Sequence, residues 1–147
     1  MSMDELNKMA VQIKILEEQI ERLQGQIQLI ENSILNLENS NFTIENMKTV
    51  EEGQEILIPL GGVAYIKAKV TDTKKLIINL GSDYFADVTI DIAKESIDKR
   101  INDLKESQQF VMGRLQQYAN QMNEIRPKFQ ELYNRLQQQP PGAPPSS

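Results

Sequence analysis

The chain has no cysteine and no histidine. Without thiols it has neither a disulfide scaffold nor thiolate chemistry, which suits a reducing interior. Without imidazole the usual zinc sites and histidine-based acid–base catalysis are excluded. Basic residues are also short: 16 Lys and Arg face 21 Asp and Glu, for a net charge of −5. A nucleic-acid scaffold needs a basic stripe to neutralise phosphates, and this balance opposes that role. No stretch approaches the roughly 20 consecutive apolar residues that span a bilayer. The opening Met1-Ser2-Met3-Asp4-Glu5 lacks the basic and continuous apolar regions of a secretory signal. The expectation is a soluble cytoplasmic protein with no cofactor, no metal and no membrane or nucleic-acid partner.

What the chain does have is periodicity. Leu6, Met9, Ile13, Leu16, Ile20, Leu23, Ile27, Ile30, Ile34 and Leu37 recur at alternating spacings of 3 and 4 without an exception. That is the a/d pattern of a coiled coil. Asn41 and Ile44 continue the spacing, and an Asn at one core position is a known way to fix register. The pattern therefore carries a first helix through the poor helix formers Asn39-Ser40-Asn41, over residues 4–48, and Gly53 stops it. A second run, Ile97, Ile101, Leu104, Gln108, Val111, Leu115, Tyr118, Met122, Ile125, Phe129, Leu132 and Leu136, repeats in the same way. It predicts a second helix over 92–137. Pro127 lies inside it, removes one helical hydrogen bond and predicts a bend or a local break. Residues 138–147, rich in Gln, Pro and Ser, cannot build a core and are expected to be a disordered tail.

Between the helices the period changes to two. Glu55-Ile56-Leu57-Ile58-Pro59-Leu60, a Gly61-Gly62 turn and the alternating Val63–Val70 read as one hairpin. Leu76–Leu80, a turn at Gly81-Ser82-Asp83 and Tyr84–Ile90 read as another. Pro59 cannot donate to a ladder, so its strand belongs at an edge or carries a bulge. Each helix is about 45 residues, or roughly 65–70 Å at 1.5 Å per residue. The 53–90 segment is too short to return along either, so the helices must pair antiparallel. The fold class is α+β: a long antiparallel coiled-coil hairpin with two β-hairpins between its helices.

A β segment of this size lies below the ~40 residues at which isolated domains need outside support. Its hairpins leave strand edges open to other chains, and Leu76-Ile77-Ile78 is apolar on both faces, as in a strand covered on both sides. The segment is therefore an oligomerisation base, assembling through Ile56, Ile58, Leu60, Ile66, Val70, Leu76, Ile78 and Leu80. No catalytic constellation stands beside it. Glu17, Glu18, Glu21, Glu95 and Glu106 occupy surface heptad positions, where charges solvate or pair. Gly61-Gly62 matches no phosphate loop, and Lys67, Lys69, Lys74 and Lys75 read as a solvated hairpin face. The chain is not expected to be an enzyme.

Helix, then Glu52-Gly53-Gln54-Glu55-Ile56-Leu57-Ile58-Pro59-Leu60-Gly61-Gly62, two hairpins with Asn79-Leu80-Gly81-Ser82-Asp83-Tyr84, then helix: this order resembles the alpha-class subunits of the prefoldin family. Two hairpins rather than one favour the alpha over the beta class. The resemblance implies a heterohexamer of two alpha and four beta subunits with a β-barrel body and coiled-coil tentacles. It implies an ATP-independent chaperone that captures non-native polypeptides at the tentacle tips and passes them to a group II chaperonin. Carried onto this chain, the tips are Leu6, Met9, Val11 and Ile13 with Ile125, Phe129, Leu132, Tyr133 and Leu136. Most of these also occupy a/d positions, so core packing accounts for them as well; Val11 and Tyr133 lie off the seam and are the better contact residues. The alternative is a structural coiled-coil spacer or a filament-forming prefoldin-like protein.

Overall fold

The computed structural model describes Ser2–Gln138. Its elements run α1 (Ser2–Asn46), a 3₁₀ turn (Met47–Thr49), β1 (Glu55–Pro59), β2 (Tyr65–Lys69), β3 (Lys75–Gly81), β4 (Tyr84–Thr89) and α2 (Ile90–Gln137). The run expected to be disordered lies, from residue 139 on, outside the described residues. The chain divides into two compact units. One comprises the parts of the helices up to Glu31 and from Glu106; the other spans Asn32–Lys105.

In the first unit the helices lie side by side and antiparallel. Glu17 meets Arg126 at 3.1 Å, and the Gln108 amide donates to Glu31 at 3.4 Å. The heptads dictate what is shielded. Leu6, Leu16, Leu23, Met122 and Leu132 are buried, Leu23 to 1% exposure, and the other a/d positions here are half-buried. No break occurs at Pro127, because α2 is helical without interruption through it. The carbonyl that Pro127 leaves without its helical donor belongs to Asn123, an exposed residue, as Pro127 is. Water can serve that carbonyl on this face, while the seam residues on either side hold the helix in register.

In the second unit the same helices continue antiparallel, with Ile34, Ala93, Ile97 and Ile101 buried. Asn41 holds its core position: its amide donates to Asp98 at 2.6 Å, and its buried Oδ1 has no partner. α1 stays helical through Asn39-Ser40-Asn41, with Ser40 and Thr43 hydroxyls donating back to the carbonyls of Asn36 and Asn39. Its last 3₁₀ turn closes at Thr49, before Gly53 is reached. Thr89 caps α2, its hydroxyl accepting from the Ile92 N–H at 3.3 Å; the helix therefore starts at Ile90, two residues earlier than the heptads alone suggest.

The strands form two separate antiparallel hairpins. β1 and β2 pair from Glu55 with Lys69 to Pro59 with Tyr65, and Gly53 and Gln54 extend the ladder through Val70. Each hairpin strand is an edge, as Pro59 requires. β3 and β4 pair from Lys75 with Thr89 to Gly81 with Tyr84, with a bulge between Asn79 and Gly81. β3 includes Gly81, so the turn is Ser82-Asp83 alone. Both turn residues have positive φ, 50° and 63°, the backbone of a two-residue type I′ turn. Leu76, Ile78, Ala86 and Val88 form the half-buried face of this hairpin. Arg100 of α2 fastens it by donating to the Asn79 carbonyl at 2.5 Å.

Candidate binding and assembly surfaces

In the first unit a heptad helix pair has no interior beyond its seam, so an apolar side chain off the seam has to meet solvent. Val11 and Tyr133 do so, at 58% and 40% exposure. The other expected contact residues turn inward to differing depths: Leu6 and Leu132 are buried, and Met9, Ile13, Ile125, Phe129 and Leu136 are half-buried. Two of the clefts that open onto this seam are lined by expected contact residues. One, of about 510 Å³, is lined by Met9, Ile15, Leu16, Tyr118 and Ile125 together with Gln12, Gln121, Glu124 and Lys128. The other, of about 450 Å³, is lined by Ile13, Arg126, Pro127, Phe129 and Gln130. Phe129 also stacks on Tyr133, with ring centroids 6.2 Å apart and planes at 15°. Ile15, half exposed, was not among the expected contacts. Its signal was available, for like Val11 it is an apolar residue at a position that the heptad leaves to solvent.

The hairpins of the second unit are poorly covered. Ile58, Leu60, Ile66 and Leu80 of the expected assembly set are exposed, while Ile56, Val70, Leu76 and Ile78 are half-buried. Apolar exposure goes further than that set. On the opposite faces Leu57, Tyr65, Ile77 (74%) and Phe85 also meet solvent, and Val63 in the β1–β2 loop is 95% exposed. β3 is thus apolar on both faces, as its sequence reads, yet within this chain only one face is partly covered. Alternate positions that are both apolar were the signal for the extra residues.

Where α1 ends, Glu45 gathers two cations, Lys94 and Lys48, the latter at 3.3 Å; Lys48 also lies 3.9 Å from Asp91. The hydrogen bond from Lys94, then that from Lys48, holds the Glu45 carboxyl below its ordinary range, and the same bond raises the Lys94 amine above its own. Glu45, Lys48 and Asp91 are solvent-exposed and Lys94 is half-buried, and the group ties the end of α1 to the start of α2. Among the described residues no group of acidic side chains is arranged to hold a metal ion, and no helix is long and apolar enough to cross a membrane.

The arrangement has relatives. The family model described as "Prefoldin subunit" matches residues 16–135. A protein named Prefoldin subunit alpha from Methanococcus aeolicus is 33% identical over 98 residues, 67% of this chain and 68% of that one. Another of the same name, from Pyrococcus horikoshii, is 28% identical over 132 residues, 89% of each chain. Among solved structures, filamentous PFD from Methanocaldococcus jannaschii superposes with a TM-score of 0.71 at 23% identity, covering 78% of this chain and 94% of that one. The heptads, the two hairpins and the matched span lead to one family: the chain belongs to prefoldin, and it is a chaperone subunit of the alpha class.

Proposed function

We propose that this subunit is an ATP-independent holdase. Its hairpins would join those of beta-class partners, two alpha with four beta subunits, and its helix pair would capture unfolded polypeptides for transfer to a group II chaperonin. The observation that carries the capture step is the exposure of Val11 and Tyr133 beside apolar clefts, at the end of the helix pair where α1 begins and α2 finishes. Each such side chain contributes about 1–3 kcal/mol when a client covers it fully. That is too little for one contact to hold a client, and enough when several subunits grip one chain at once. The exposed hairpin residues support assembly by the same reasoning, since an apolar surface on both sides of a two-stranded ribbon is stable only when other strands cover it.

The test is to remove residues 1–12 and 126–147 and to follow aggregation of a denatured client. Suppression should be lost while the native mass of the assembly stays the same apart from the deleted residues. Full suppression by the shortened chain would overturn the capture reading. A structural reading also has an observation in its favour, the fold shared with a filamentous relative. Native mass decides between them: a six-chain particle supports the heterohexamer, and an open-ended homopolymer supports the filament.

A further inference from the structure

Resting on the capture reading, we propose that the client segment seated in the 510 Å³ cleft is an amphipathic α-helix, held as the third member of a three-helix bundle. The two flanks of the seam differ in what closes them. On one, Glu17 bridges to Arg126, and Glu21 lies in the same cleft. On the other, the positions beside the seam are Gln12 and Gln19 on α1 against Gln121 and Lys128 on α2, so no opposite charges face each other across it. This second flank carries the 510 Å³ cleft, lined by the seam residues Met9, Leu16, Tyr118 and Ile125 and, further out, by the half-exposed Ile15. An apolar side chain outside an open flank widens the seam into a groove, the surface against which a third helix buries its apolar stripe.

The lining residues repeat at helical spacing on both walls. Met9, Gln12 and Leu16 on α1, and Tyr118, Gln121, Ile125 and Lys128 on α2, succeed one another by three or four residues. The gaps between them therefore recur every ~4.5–6 Å at ~1.5 Å per residue. A helix presents its own apolar stripe at the same steps, and its side chains enter such gaps as knobs. An extended segment repeats on one face every ~6.7 Å and is out of step by ~3 Å after two side chains. The backbone argues the same way. An extended client on this floor would bury N–H and C=O groups with no strand edge to receive them, whereas a helix satisfies its backbone internally. The walls run ~10 Å on α1 and ~15 Å on α2, room for about two to three helical turns. At the rim Glu124 and Lys128 are exposed and four residues apart, which suits a client helix with a basic and an acidic side chain one turn apart.

The test uses the full chain in its assembly and two fluorescent peptides of identical composition, one with leucines at helical spacing and one with leucines at alternate positions. Fluorescence anisotropy should show the helix-patterned peptide binding at least tenfold more tightly, with a gain of helical circular dichroism on mixing. Ile15→Asp should weaken that binding at least tenfold. Leu29→Asp, at the equivalent position two heptads along α1 and outside the cleft, should not. A second measurement leaves the seam intact, since the chain has no cysteine of its own. A Cys in the peptide's leucine stripe should close a disulfide with Gln12→Cys at least tenfold faster than with Glu17→Cys on the bridged flank. Equal affinities for the two peptides, both lost in Ile15→Asp, would overturn the helical form and leave capture standing. Affinity unmoved by Ile15→Asp would overturn the groove as the site. A changed native mass in Ile15→Asp would overturn it in favour of a second copy of this chain as the occupant. Binding of neither peptide would overturn it too, and client aggregation with the truncated chain then reads whether capture itself fails.

Discussion

Leu23 and Leu29 lie six residues apart on one helix, and their burial is opposite, 1% against 68% exposed. Leu23→Ala and Leu29→Ala therefore make the same chemical change with nearly the same effect on helix propensity. Truncating Leu23 removes three carbons from the seam, about 2.4 kcal/mol at ~0.8 kcal/mol per buried carbon group. A residual cavity adds to that, within the roughly 2–5 kcal/mol span of buried Leu→Ala changes. A two-helix seam has solvent on both flanks and can partly collapse, which places the cost near the lower half, about 3 kcal/mol. At Leu29 about a third of the transfer remains, roughly 0.8 kcal/mol, and alanine's higher helix propensity offsets part of it. At ~2–4 °C per kcal/mol for a chain of this size, Leu23→Ala should lower Tm by roughly 6–12 °C and Leu29→Ala by no more than about 3 °C. The assay is loss of helical circular dichroism on heating, at one fixed protein concentration because assembly contributes to stability. Equal shifts for the two variants would refute the seam as the source of helix stability.

Asn41→Leu removes a core amide whose Oδ1 is buried without a partner; it also removes the bond to Asp98, but that carboxylate is exposed and water can replace the donor, so the net should be a gain of no more than about 1 kcal/mol, read as a higher Tm. The same variant should broaden the set of assemblies seen by native mass, since the polar core position no longer penalises shifted registers. Glu45 gives a pH dependence with a definite sign. Its carboxyl is depressed in the folded chain by Lys94 and then Lys48, so its contribution is present above the ordinary carboxylate range and is lost as acid protonates it. Tm should therefore fall on acidification below that range, and fall less in Glu45→Gln; equal acid sensitivity of the two would exclude this pair as a contributor. Lys94, raised by the same bond, loses its share only as the pH climbs above the ordinary range for an amine.

Most of this architecture can be read without coordinates because its order is local. A seam residue in a coiled coil is designated by its spacing from the previous one, and every a/d position from Leu6 to Ile44 and from Ile97 to Leu136 is buried or half-buried. Asn41 and Gln108 were legible as polar members of the seam, but their partners, Asp98 and Glu31, were not. Those partners lie 57 and 77 residues away, and periodicity along one helix carries no information about level on the other. Element ends are less legible for a similar reason: the start of α2 depends on the single cap from Thr89, and Gly81 belongs to β3 through its pairing with Tyr84 across the turn.

By itself, then, the sequence determined the two helices, the two hairpins, their order and the antiparallel pairing, because hydrophobic period and turn chemistry act over a few residues. Only the tertiary structure decided how much of each apolar side chain remains in water. It buries Leu6 and Leu132 while leaving Val11, Ile15 and Tyr133 open, and it covers one face of β3 while leaving Ile77 bare. It also decided that α2 passes Pro127 unbroken. Exposure depends on what another part of the chain places opposite, and a helix outlasts a missing hydrogen bond when its seam is packed on both sides of the gap.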